Sequence, residues 1–399
     1  MTKKKKIIIV SNNLASGGIQ KALVNLLNEI KDKYEIALFL FSDSGNYSEE
    51  IPKKVNVIHA NSFLKLLAIS QKESKKEGLF YYLLRAILVL WTKLINNEIP
   101  MKILFLTQRK LKKFDVAISF VQSPNEKSFY GGCNEFVLNK IESTSKIAFI
   151  HCDFLNYGGN THKNRNLYLK FNSIAAVSES CKNNFIEAIP ELTQKTYCIR
   201  NCHDYECIKE NANQFPVEYN TRYFNIVTVA RLSEEKGLIR ALEIINRLIK
   251  RGYKITWQII GDGRQRKEIE QKIQDYLLGE FVILHGDQKN PYRFMKNADI
   301  FFLPSYHEAA PMVLDEARAL ALPVLTTNTL SAIEMVESNN CGWVCENSIT
   351  GIEESLIDLL NNQNALLKIK NNLMTQHFTN EVALKQFDFL LNGATNNVK

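Results

Sequence analysis

Four charged residues in the second half of the chain have types and spacing that could do chemistry. Glu308 and Glu316 stand eight positions apart in "SYHEAAPMVLDEARAL", on either side of Pro311. A proline suits the first turn of a helix, so Glu308 is expected in a loop and Glu316 two turns into the helix that follows. Free amides near Ala310 and Met312 would then face a ligand with the positive end of the helix dipole. Because a carboxylate accepts from paired hydroxyls and a helix N-terminus attracts an anion, this stretch fits a phosphate held between two diol-bearing groups. A capped helix with one surface acid fits it as well. Upstream, Arg231 and Lys236 straddle a turn in "VARLSEEKGLIRALEII". Two cations where a strand hands over to a helix suit a diphosphate, whose roughly two charges a helix dipole alone would not neutralise. Two solvated surface charges would look the same.

Glycines mark two more strand ends. Gly261 and Gly263 sit in "IIGDGRQRKEIEQ", and Gly17-Gly18 in "SNNLASGGIQKALVNLL". Either pair could open a helix whose first amides approach a ligand closely. Neither follows the dinucleotide-binding or P-loop pattern, and each is weak alone. His151 closes the strand-like run "KIAFI" in "FIHCDF". Eight cysteines without a CxxC pair read as reduced thiols. Cys198, Cys202, His203 and Cys207 form the tightest group, at spacings that fit no common zinc pattern.

The elements that must position these residues follow from length and periodicity. At 399 residues the chain exceeds the size at which one core stops growing, so two domains are expected. Its 45% hydrophobic and 23% charged residues are those of a globular protein. Strand-like runs "KIIIV", "IALFLF", "VNVI", "DVAISF", "KIAFI" and "SIAAVS" alternate with helical patterns, and a second series runs "FNIVTVA", "KITWQII", "FVILHG", "DIFFLP", "PVLTTN" and "GWVC". That alternation predicts two α/β domains, each a doubly wound parallel sheet, with ligands at the carboxyl ends of the strands. The polar stretch from Asn201 to Tyr223 lacks periodicity and reads as the linker. Domains are therefore expected at 1–212 and 213–377, facing each other across a cleft, with a final helix at about 378–399 a candidate to pack back on the first.

The start, "MTKKKKIIIV", has an apolar run too short for a signal peptide, so the protein is expected in the cytosol. The net charge is +8, and eleven Lys or Arg against three Glu lie between Lys65 and Lys113, interleaved with "GLFYYLLRAILVLWTKLI". Leu79–Trp91 is too short to cross a bilayer. It reads either as a helix lying in the interface beside anionic lipid, or as an ordinary amphipathic helix with a solvated basic face. No helix-turn-helix, zinc-finger or ribonucleoprotein motif accompanies the charge, so nucleic acid is not the expected partner.

The combination "VARLSEEKG", "GDG", "ADIFFLPSYHEAAPMVLDEA" and the N-terminal glycine pair resembles the family 4 glycosyltransferases of GT-B fold, which are retaining enzymes that use nucleotide-sugar donors. By this resemblance Arg231 and Lys236 hold the donor diphosphate, Glu316 the ribose hydroxyls and Glu308 the transferred sugar. Gly17 and Gly18 line the phosphate side, with Gly261, Gly263, Ala310, Pro311 and Met312 also around the donor, and His151 sits near the anomeric carbon. The implied reaction moves a hexose or N-acetylhexosamine, most simply from UDP, to a sugar hydroxyl without a metal or other cofactor, and the basic aromatic patch then suggests a lipid-linked acceptor at the inner membrane face, as in assembly of bacterial surface polysaccharides. Where many members carry Gly-Phe-Gly, this chain has Ala309-Ala310-Pro311, which leaves the donor open. A nucleotide-sugar epimerase of the same fold, a glycosidase or a non-catalytic carbohydrate-binding protein are the rival readings.

Overall fold

The structure, a computed structural model, describes residues 4–15 and 17–396. The chain divides into two compact units, one of Met1–Cys202 with Asn380–Lys399 and the other of His203–Thr379.

The first unit is built on β1 (Lys6–Ser11), β2 (Glu35–Leu40), β3 (Asn56–His59), β4 (Leu111–Ser119), β5 (Ile141–Ile150), β6 (Ser173–Ala176) and β7 (Thr196–Cys198). They form one parallel sheet in the order β3-β2-β1-β4-β5-β6-β7. A parallel sheet covered on both faces reads as continuous apolar runs, which is why Ile7, Ile8, Ile9 and Val10 are all fully buried. The helix Gly18–Ile30 contributes Leu23, Leu27 and Ile30, spaced to fall on one face. Phe39 and Phe136 stack in the core with ring centroids 4.6 Å apart.

The second unit carries β8 (Phe224–Val229), β9 (Ile255–Ile260), β10 (Val282–Gly286), β11 (Ile300–Leu303), β12 (Val324–Thr327) and β13 (Gly342–Cys345). Its sheet is also parallel, ordered β10-β9-β8-β11-β12-β13. Trp257 is fully buried, and its indole N–H donates to Thr228 Oγ1 at 2.9 Å. In each sheet the strand order reverses beside the first strand, between β1 and β4 and between β8 and β11. Loops leaving such a pair depart to opposite faces and open a crevice at the carboxyl ends, so the reversal decides where side chains can meet a ligand.

Some local readings change. The polar stretch after Asn201 holds a helix, Tyr205–Asn213, capped by the Asp204 carboxylate, which accepts from the Cys207 amide. Few apolar positions betray it, because only Ile208 and Ala212 are buried. The last helix, Glu381–Asn396, buries Phe387, Leu390 and Leu391 in the first unit. The Tyr34 hydroxyl donates to Asp388 at 2.6 Å, and Lys33 pairs with the same carboxylate.

Phe39→Ala should remove the stacked pair and cost the first unit about 3–5 kcal/mol. Urea unfolding should then show an earlier first-unit transition, while the change in emission from buried Trp257 in the second unit keeps its midpoint.

Candidate functional site

The second unit gathers most of the residues singled out above at its order reversal. Beyond β8 the chain runs through Arg231 into a short 3-10 turn, Glu234–Lys236, and then Gly237, which opens the helix Leu238–Lys250. Beyond β11 it runs through Pro304 to Glu308. The two loops are locked side by side. Gly237 adopts a left-handed φ of 64°, and a Cβ there would lie 2.1 Å from the Pro304 carbonyl oxygen, so no other residue fits without a shift. The Tyr306 amide donates to the Glu235 carbonyl at 2.8 Å.

Within this frame the Lys236 ammonium pairs with Glu308 Oε1 at 2.5 Å, and the Ser305 hydroxyl donates to the same oxygen at 2.7 Å. Both side chains are largely covered, so the pair is not a freely solvated one. Arg231 is exposed and makes no ion pair among the described residues. Glu235, between the two cations, reports the field of the loop. Burial pushes its carboxyl up, yet the Ser233 hydroxyl and the charges of Lys236 and Arg231 bring it below the usual carboxylate range.

Gly261 and Gly263 do not open a helix, which begins only at Arg266. They permit close approach: a Cβ at Gly261 would lie 2.0 Å from the Ala230 carbonyl oxygen, and one at Gly263 2.2 Å from that of Leu232. The loop after β9 thereby rests on the loop that carries Arg231. Pro311 precedes the helix Met312–Ala319 as its cap, with φ −69° and ψ 117°, and so lies one position before the first turn expected for it. Its ring fixes φ but not ψ, and the extended ψ turns the chain from the Ala309-Ala310 bend into the helix. Glu316 is in the second turn and buried.

Arg240 escaped notice in the sequence, where a cation in "LIRALEIINRLIK" reads as solvated. It is buried, donating to the carbonyls of Pro304 at 2.8 Å and Ser305 at 3.0 Å and to the Asn347 side chain at 2.6 Å. The Tyr306 ring lies 3.8 Å from its guanidinium carbon, and Asn347 donates to the Tyr306 carbonyl at 3.0 Å. The available signal was buried Ile244, one turn further along the same side of the helix.

In the first unit Gly17 caps the helix Gly18–Ile30, whose first turn bears no acidic side chain. Asn12 and Asn13, just beyond β1, are buried. Asn13 donates to the Ala68 carbonyl at 3.0 Å and to the Tyr130 hydroxyl at 3.1 Å, whereas the Asn12 amide nitrogen has no partner. His151 follows β5, with its ring 4.8 Å from that of Phe120, and its Nε2 is buried without a hydrogen bond. Burial drives its pKa down to about 3 against a weaker upward pull from a hydrogen bond to the Phe120 backbone, so the imidazole is neutral at pH 7. Two enclosed polar atoms without partners at the carboxyl edge of one sheet are groups that a ligand would satisfy. A cavity of about 520 Å³, lined among others by Asn13, Asn46, Ser70, Glu73, Arg85 and Tyr130, opens in the same unit. Among the described residues no group of three or more His, Cys, Asp or Glu could hold a metal ion.

Two outcomes follow. Arg240→Met should leave the Pro304 carbonyl unpaired and the Ser305 carbonyl with only the Thr327 hydroxyl, cost about 2–4 kcal/mol and speed hydrogen exchange of the amides from Ser305 to Glu308. For His151, the ordinary pKa is 6.5 and the folded value about 3, so between them the unfolded chain binds more protons and stability falls as pH drops below about 6.5. Wild type should therefore lose more Tm than His151→Gln between pH 7.5 and 5, by differential scanning calorimetry.

With the geometry described, comparison with known proteins places the chain. Residues 209–375 match the family model "Glycosyl transferases group 1". The capsular polysaccharide biosynthesis glycosyltransferase CapM of Staphylococcus aureus is 24% identical over 233 residues, covering 55% of this chain and 61% of that protein. The amylovoran biosynthesis glycosyltransferase AmsK of Erwinia amylovora is 36% identical over 127 residues, covering 30% of this chain and 31% of its own. The matched stretches thus span less than two thirds of these relatives. Over the whole fold, the structure of Anabaena HepE with UDP and glucose superposes with a TM-score of 0.66 at 18% identity, covering 99% of this chain and 98% of that one. TarM superposes with a TM-score of 0.70 at 13% identity, covering 98% and 99%. The chain has the GT-B fold, and its stretch 209–375 matches the group 1 glycosyl transferases.

Proposed function

We propose that the protein is a retaining glycosyltransferase that moves a hexose or N-acetylhexosamine from a nucleoside diphosphate sugar, UDP-linked in the first instance, to a hydroxyl of a lipid-linked acceptor in bacterial surface-polysaccharide assembly. The observation that carries this reading is the locked pair of loops at the β8/β11 reversal, which sets Lys236 against Glu308 with Arg231 on the same turn. A diphosphate needs two cations, and a carboxylate beside them suits the hydroxyls of the sugar it carries. Glu316 takes the ribose hydroxyls, and the amides of Ala310 and Met312 face the phosphates. CapM and AmsK are named for polysaccharide biosynthesis, and HepE was solved with UDP and glucose. These names support the donor class and the pathway.

In the reaction the anomeric carbon to phosphate-oxygen bond breaks and a bond from the same carbon to the acceptor oxygen forms. The hydroxyl proton passes to the leaving diphosphate on the same face. The chain supplies positioning and charge rather than a covalent partner. Arg231, Lys236 and the helix amides stabilise the departing charge, and this reading requires no metal. By the family resemblance Gly17 and Gly18 are assigned to the donor phosphates, and neutral His151, with its enclosed Nε2, to a sugar hydroxyl. The polar cavity lined by Asn13, Glu73, Arg85 and Tyr130 is the acceptor's place in the first unit.

Release of UDP from a panel of UDP-sugars, with and without membrane lipid extract, tests the activity. Turnover only with acceptor lipid is expected, whereas an altered free sugar made without acceptor would indicate an epimerase. Arg231→Ala and Lys236→Ala should each weaken UDP binding at least about tenfold, as expected for loss of one charge-assisted contact. Glu316→Gln should also weaken UDP. Glu308→Gln should bind UDP at least as tightly as wild type, because it frees Lys236 from its ion pair, while turnover falls. Calorimetry with UDP decides the division of roles, and equal losses in the two glutamate variants would contradict it.

A further inference from the structure

Between Leu79 and Leu106 the chain carries one acidic residue, Glu98, and folds as two helices, Leu79–Leu94 and Glu98–Leu106, that pack against each other. The longer helix turns Arg85, Leu88 and Thr92 inward, and Arg85 bonds the Leu66 carbonyl and Gln71 beside the polar cavity. Its other side is bare hydrocarbon. Leu79, Phe80, Leu83, Ile87, Leu90 and Leu94 are between 52% and 73% exposed, and the row continues through Ile95, Ile99, Ile103 and Leu106. With Trp91, eleven of the 24 exposed large apolar residues among those described lie in this one segment. Folded proteins do not leave so continuous an apolar ridge in water without a partner.

Charge selects the partner. Lys72, Lys76, Lys93, Arg109, Lys110 and Lys113 are exposed and make no ion pair among the described residues, whereas Lys102 pairs with Glu98. They flank the ridge on the helices themselves and on the segments entering and leaving them. A second copy of the chain would set cations against cations across a two-fold contact. An anionic lipid surface instead offers phosphates to the lysines and acyl chains to the ridge. No helix among the described residues is long and apolar enough to cross a membrane, so the fit is to lying in the interface.

We propose that the ridge of Leu79–Leu94 and Glu98–Leu106 is the surface by which the protein docks on an anionic phospholipid bilayer, its leucines and isoleucines entering the acyl boundary and its lysines contacting the headgroups. This deepens the reading above by naming where a lipid-linked acceptor is met, and rests on that reading only for the acceptor. Arg85 links the two, since it lies on the inward side of the helix whose outer side meets the lipid and lines the cavity proposed for the acceptor's sugar.

The test uses vesicles of phosphatidylglycerol and phosphatidylcholine, with pure phosphatidylcholine as control. Wild type should sediment with the anionic vesicles and its tryptophan emission should shift to the blue, a shift lost in Trp91→Phe because Trp257 is already buried and Trp343 sits in β13 of the second unit. Combining Leu83→Ser, Ile87→Ser and Leu90→Ser should lower the vesicle partition constant at least about tenfold, with circular dichroism and UDP affinity unchanged. Wild type that ignores anionic vesicles, or a triple variant that binds as well as wild type, overturns the proposal. So does a wild-type dimer by analytical ultracentrifugation that the triple variant converts to monomer. Vesicle binding without UDP release would instead count against glycosyl transfer and leave the docking surface standing.

Discussion

Arg240 reaches from the helix that follows Gly237 and ties down the loop beyond β11, donating to the carbonyls of Pro304 and Ser305 and to Asn347. A guanidinium sealed among apolar residues is tolerable only if its donors are satisfied, and here neutral carbonyl dipoles satisfy them. That choice of partner matters. Because Arg240 does not consume a carboxylate, Glu308 remains available to Lys236 and Ser305. Asn347 closes the ring by donating to Tyr306, so the backbone of the loop is specified from both sides. The positions of Lys236, Glu308 and the start of the following helix all descend from this one buried cation.

The two units present different chemistry at their strand ends. In the second, charges crowd together: Arg231, Lys236, Glu235 and Glu308 occupy two short adjoining loops. In the first, neutral groups follow β1 and β5, namely Asn12, Asn13 and an imidazole that burial keeps uncharged, while one carboxylate and one guanidinium, Glu73 and Arg85, line the cavity that Asn13 shares with Tyr130. Neutral amides, phenols and imidazole exchange hydrogen bonds with hydroxyls without a large desolvation cost, whereas phosphates call for cations. The division of labour in the proposed reaction therefore has a counterpart in the dielectric character of each crevice.

Twelve of the thirteen strands among the described residues were legible, most plainly those buried on both faces, which are uninterrupted apolar runs as in "KIIIV" and "FNIVTV". The strand missed was β7, whose three residues "TYC" are too few for any period to register. The helix Tyr205–Asn213 was hidden for another reason, since two buried residues in nine make no stripe. At the candidate site, spacing pointed to loops but could not say what the side chains touch. Lys236 and Glu308 are 72 positions apart, and nothing local in either segment announces the pair. Arg240 and Asn347 are 107 apart, so the cation that fixes the loop looked like one more surface arginine. Gly261 and Gly263 were visible as a turn, yet their reason, two carbonyls within about 2 Å of a missing Cβ, belongs to the tertiary structure alone.

The last helix returns to the first unit, where Phe387, Leu390 and Leu391 fill its core. The first unit is thus discontinuous in the chain and the second is not. During synthesis, which proceeds from the N-terminus at about 5–20 residues per second, the second unit has its full sequence before the first does. The apolar floor that Phe387 and Leu391 cover stays open while the 177 residues 203–379 emerge. The usual order, in which the N-terminal domain has its whole sequence first, is inverted, because the first unit's core is complete in sequence only once Glu381–Asn396 has been made.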